Sequence, residues 1–109
     1  MSNYSLHSLA AAIDFDIEDF IPLMILFLDT TDLNLSEIST AIEISDSVII
    51  SSNIHNIKGA SMNLGLEAIS KIMEEMSRLN KIGSYADIKR MISQCKNEID
   101  ELRKVLERS

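Results

Sequence analysis

His55-Asn56-Ile57-Lys58-Gly59-Ala60-Ser61-Met62-Asn63-Leu64-Gly65 is the stretch from which the rest of the 109-residue chain can be read. Counting from just upstream, Ile50, Ile54, Ile57, Ser61 and Leu64 recur at spacings of four, three, four and three. That is the period of one buried helix face. His55 falls just off the stripe, and Ser51, Ser52, Lys58, Gly59 and Met62 share its outward side. On a helix the same-face neighbours of position i are i+3 and i+4, so Lys58 and Gly59 flank the imidazole one turn on. A lone histidine or lysine on a helix surface is ordinary. A glycine in a helix interior is not, because it costs about 1 kcal/mol relative to alanine. The missing side chain therefore implies a need for space beside the ring.

Working outward, Ser45 or Asp46 is positioned to cap this helix at its start, and Gly65 to end it in a left-handed C-cap. Leu66, Ile69, Met73, Met76 and Leu79 or Asn80 carry the same period through a following helix, Leu66 to Ile82, closed by Gly83. The turn at Gly65 is tight enough that this helix must return antiparallel, which brings Ser77 near His55. Upstream, Ile21, Met24, Leu28, Thr31, Leu35, Ile38 and Ile42 predict a long helix over Phe20 to Glu43, capped by Asp19, with Pro22 in its first turn. Downstream, Ser84 caps a last helix whose seam is Tyr85, Ile88, Ile92, Cys95, Ile99, Leu102 and Leu106. Leu6, Leu9, Ala10 and Ile13 predict a short amphipathic helix that lids one end. The expected fold is all-α: an antiparallel four-helix bundle with a short additional N-terminal helix, one domain over residues 1–109.

Composition narrows the chemistry. The net charge is -7 and no basic stripe exists, which argues against nucleic acid as a partner. A single cysteine, Cys95, excludes a disulfide framework and suits a reducing compartment. Its place in the seam makes it a core residue. The apolar run Ile21 to Leu28 is far shorter than the ~20 residues needed to cross a bilayer. With no basic region ahead of an apolar run at the N-terminus, the expected location is the cytoplasm. The first half of the long helix is apolar on every side. Burial against the core and the short first helix accounts for most of it, while some of Phe20, Leu23 and Phe27 are candidates for an exposed docking surface. No Gly-rich phosphate loop is present, neither histidine has a glutamate three residues before it, and no Cys/His pairs could hold zinc.

A neutral imidazole held outward offers a free lone pair, the property of a nucleophile. If such a ring attacks phosphorus, the Lys58 ammonium becomes a charge-assisted partner for the phosphoryl oxygens, and Gly59 leaves room for the group and for the macromolecule that delivers it.

The run His-x-Ile-Lys-Gly-Ala-Ser-x-x-Leu-Gly closely resembles the signature of histidine-containing phosphotransfer (HPt) domains, all-helical carriers in phosphorelays. It covers about a tenth of the chain and sets His55, Lys58, Gly59, Ser61, Leu64 and Gly65 in one register. The resemblance implies that His55 is the phosphoacceptor, through Nε2, that Lys58 steadies the phosphate, and that Gly59 opens the site. It further implies a carrier without an ATP site. The expected partners are response-regulator receiver domains or a hybrid histidine kinase, and Mg²⁺ is expected on the receiver, with no cofactor bound by this chain. Members often place a glutamine on the next helix to hydrogen-bond the imidazole. Ser77 stands near that position here, and its shorter hydroxyl reaches only through water. Ser51, Ser52 and Met62, with Leu23 and Phe27, are the expected partner contacts; Ser61 and Ser77 are the expected supporting residues, and a monomer is the expected state. Two other readings compete: a helical module that regulates a kinase or receiver without being phosphorylated, and the phosphoacceptor domain of a larger kinase.

Overall fold

The computed structural model describes residues 4–108. Five helices follow in order: α1 (Leu6–Ala12), α2 (Ile17–Glu43), α3 (Ser47–Asn63), α4 (Glu67–Lys81) and α5 (Tyr85–Glu107). Among the described residues there is no strand. The longest helix, α2, has 27 residues and at 1.5 Å per residue runs about 40 Å. It accounts for the 41 Å long dimension of the molecule. Helices α2 to α5 pack up and down, with α3 against both α2 and α4, and α4 against α5; the contact between α2 and α5 is thinner.

One core runs the length of the bundle. Phe20, Met24, Leu28, Leu35 and Ile38 of α2 meet Ile50 and Ile57 of α3, Ile69, Met73 and Met76 of α4, and Ile88 and Ile99 of α5. The predicted stripe of α3 is buried from Ile50 to Leu64. Cys95 is buried in the α5 seam, where burial first, then the nearby Glu98 and Asp32 carboxylates, push its thiol up to about 12. The seam ends on Val105, which is buried, whereas Leu106 is only half-buried.

Four of the chain reversals use the same device. After α3, the Leu66 N–H donates to Ser61 O at 2.9 Å and the Gly65 N–H to Met62 O at 3.1 Å, the two bonds of a Schellman cap. Gly65 takes φ +72°, where a side chain is disfavoured, and a Cβ there would also stand 3.4 Å from Ile13 Cγ2. Gly83 ends α4 in the same way, at φ +69°. After α1 and α2 the left-handed position is held by Asp14 (φ 58°) and Ser45 (φ 55°). Ser45 therefore terminates α2, and Asp46 alone caps α3: its carboxylate accepts from the N–H of Val48 at 3.2 Å and of Ile49 at 3.1 Å.

The start of α2 differs from the sequence expectation. Helix α2 begins at Ile17 after an N-cap at Asp16 whose side chain makes no capping bond, so Asp19 lies in the first turn instead of at the cap. Half-buried Ile17 packs against the core and draws the chain into helix earlier. Pro22 consequently falls beyond the first turn, where it lacks the N–H that Glu18 O would otherwise receive. Ile13 against Gly65 places the α1 end over the α3–α4 turn, and a hydrogen bond from the Tyr4 hydroxyl to Glu98 ties the segment before α1 to α5. The short helix thus lids one end of the bundle, as its amphipathic pattern predicts.

Candidate functional site

Helix α3 presents one face to α2 and α4 and the other to solvent. His55, Ser51, Ser52, Gly59 and Met62 are all exposed, and Met62 retains 61 % of its accessible surface. His55 lies mid-helix, eight positions after Ser47, so the backbone beneath the ring is regular α-helix held on both flanks.

Three links set the register between α3 and α4. Asn80 Nδ2 donates to Ser47 O at 2.9 Å, Lys58 Nζ lies 3.7 Å from Glu74 Oε1, and the hydroxyl oxygens of Ser61 and Ser70 are 2.9 Å apart. His55 sits between Ser47 and Lys58 on α3, hence opposite the stretch between Glu74 and Asn80 on α4. Ser77 belongs to that stretch and is half-buried. Among the described residues no hydrogen bond joins Ser77 to His55. Ser61 is fully buried and donates to Lys58 O at 2.9 Å. Its hydroxyl thus supports the site from beneath, by locking the α3–α4 hairpin nearly two turns from the imidazole.

Lys58 is partly exposed, with 38 % of its side chain accessible, and its ammonium is shared with the more open Glu74. Gly59 is the most telling position. A Cβ built there would meet nothing within 4 Å. Among the described residues nothing approaches closely enough to require glycine there, so they give no packing reason for a helix-weakening residue. Space is left on the solvent side, next to the imidazole and the ammonium.

On the other flank of His55 a shallow groove of about 700 Å³ runs between α3 and the end of α4, lined by Ser47, Val48, Ser51, Ser52, His55, Asn80 and Lys81. Asn80 and Lys81 escaped the sequence reading, in which position 80 is only an alternative core position. The signal was there in part: a lysine in the last turn of a helix, which the macrodipole favours, one turn beyond Ser77. Of the proposed docking residues, Ser51, Ser52 and Met62 share the His55 face. Leu23 is exposed at 38 %, but the α2–α3 turn sets residues near 35 level with His55, so Leu23 stands roughly 18 Å away along the bundle. Phe27 is only 5 % exposed and belongs to the core. Its ring is spaced seven residues from buried Phe20, two helical turns, and so faces inward with it.

Among the described residues no group of three or more His, Cys, Asp or Glu side chains is placed to hold a metal ion, and no helix is long and apolar enough to cross a membrane. The comparison with known families matches residues 22–105 to the Hpt domain. No curated protein and no solved structure matches the chain.

Proposed function

The chain belongs to the Hpt domain family, and from that premise we propose that His55 is the residue that carries the phosphoryl group. Hpt domains perform histidine phosphotransfer in phosphorelays and interact with receiver domains; they are phosphoryl carriers, not kinases. The observation that supports His55 is the open space over Gly59 beside an exposed imidazole and a lysine. The other histidine, His7, is exposed on the seven-residue α1 with no lysine or glycine three or four residues on.

In this reading a ring nitrogen of His55 attacks the phosphorus of a receiver's aspartyl phosphate. An N–P bond forms, the P–O bond breaks, and the aspartate leaves with the bonding pair as a carboxylate. The reverse displacement, by the carboxylate of a second receiver, unloads the carrier. The chain's own contribution is placement: α3 holds the ring outward, Lys58 offers a charge-assisted hydrogen bond to the phosphoryl oxygens, and Gly59 admits the partner. Mg²⁺ belongs to the receiver, where it offsets the charge of the transferring group; no cofactor is assigned to this chain. The docking patch is Ser51, Ser52 and Met62 around His55; Leu23, distant along the bundle, and Phe27, in the core, lie outside it. Because the chain is acidic, docking rests on these contacts more than on gross charge attraction.

The test is incubation with a phosphorylated receiver and Mg²⁺, followed by intact-mass analysis at neutral or alkaline pH. One acid-labile phosphate is expected on the wild type and none on His55→Gln, whose helical circular dichroism should be unchanged because the side chain is exposed. Binding to receivers without any phosphate transfer would instead favour the non-phosphorylated regulator.

A further inference from the structure

We propose that Glu74 competes with the phosphoryl group for the Lys58 ammonium and thereby sets how readily the carrier gives up its cargo. The inference rests on the role given above to His55 and Lys58. In the unloaded protein Lys58 Nζ is 3.7 Å from Glu74 Oε1, across the α3–α4 seam and one turn from His55. Among the described residues Glu74 is the carboxylate that Lys58 meets within ion-pair distance, and Ser61 fixes the Lys58 carbonyl so that the competition is settled by side-chain movement alone.

Both side chains are well solvated, with 38 % and 61 % of their surfaces accessible, so the bridge is weak and easily exchanged. A phosphorylated imidazole carries close to two negative charges one turn from Lys58 and is the stronger partner for it. Loading His55 therefore has to draw Lys58 off Glu74 before the ammonium can serve the phosphoryl oxygens. Glu74 forms and breaks no covalent bond. It is a positioning residue that withholds part of the stabilisation Lys58 would otherwise give the loaded state. For a relay intermediate this has a direct use, since a carrier that held its phosphoryl group too tightly would not pass it on.

The experiment measures the partition of the phosphoryl group between carrier and receiver after rapid mixing with a phosphorylated receiver and Mg²⁺. The proteins compared are the wild type, Glu74→Gln, Glu74→Asp, Lys58→Met and the Glu74→Gln/Lys58→Met double variant. Glu74→Gln should shift the partition toward phosphohistidine by about two- to fivefold, the range expected of a solvated ion pair. Glu74→Asp should stay near the wild type, and the shift should collapse in the Lys58→Met background. An unchanged partition for Glu74→Gln overturns the inference. So does a shift of opposite sign, which would mean that Glu74 holds Lys58 in place for the phosphate. A shift of full size in the absence of the Lys58 ammonium also overturns it, because Glu74 would then act by its bare field. Absence of phosphate on wild-type His55 removes the carrier reading itself and the inference with it, an outcome distinct from the other three.

Discussion

Gly59 carries the sharpest prediction because stability and activity should move in opposite directions. Alanine at this position adds a methyl group that meets nothing within 4 Å. The replacement therefore brings no clash and no new contact, and its whole effect on stability is helix propensity. Glycine in a helix interior is about 0.8–1.0 kcal/mol worse than alanine. For a domain of about 100 residues that gain corresponds to a rise in Tm of roughly 4 °C. Gly59→Gln should gain less, about 0.5 to 1 kcal/mol, since glutamine is a good helix former though weaker than alanine. Its longer side chain would stand over the space beside His55. Thermal and urea unfolding followed by circular dichroism should show both variants more stable than the wild type. Phosphotransfer with a receiver should fall for Gly59→Gln and much less for Gly59→Ala. If Gly59→Gln accepts phosphate at the wild-type rate, the glycine is not there for the partner. If neither variant is stabilised, the open surroundings of position 59 are misjudged and the physical basis of the argument goes with them.

Two further outcomes follow from the bundle. Ser45 holds the left-handed position that ends α2, at φ 55°, where a side chain is strained and glycine is not; Ser45→Gly should raise the urea midpoint by an amount equivalent to about 1 kcal/mol, and an unchanged or lower midpoint would refute the cap reading. Cys95 is shifted up from 9.0 to about 12, first by burial, so between those values the folded state keeps a proton that the unfolded state releases. Stability from this group is complete below about pH 9 and is lost as pH rises toward 12, and burial and Glu98 push the Tyr4 phenol in the same direction. Thiolate absorbance at pH 10 should therefore appear only after urea is added; its appearance in the folded protein would contradict the buried thiol.

Much of this was legible in the residues because helices write their burial into the chain at a fixed period. Ile50, Ile54, Ile57, Ser61 and Leu64 alternate in threes and fours, and all five are buried; the exposed side of the same helix, with His55, Lys58 and Gly59, follows by subtraction. The ends of α3 and α4 were legible at Gly65 and Gly83, since few other residues accept a positive φ. The end of α2 was less so, because Ser45 takes that position against its preference. Where apolar residues cover every side the period loses its meaning. Between Phe20 and Leu28 the sets Phe20, Met24, Phe27 and Ile21, Met24, Leu28 both run in steps of four and three, and the chain alone does not choose between them.

Sequence by itself determined the helical class, the outward imidazole with its lysine and glycine, and the absence of a phosphate-binding loop, because each depends only on residue type and spacing along one helix. The tertiary structure decided what depends on a second helix. Packing of α2 widened its buried face to take in Phe27, and the α3–α4 register set Glu74 against Lys58. No spacing within a single helix encodes such a pairing, because it is fixed by how two surfaces slide to fill a common core.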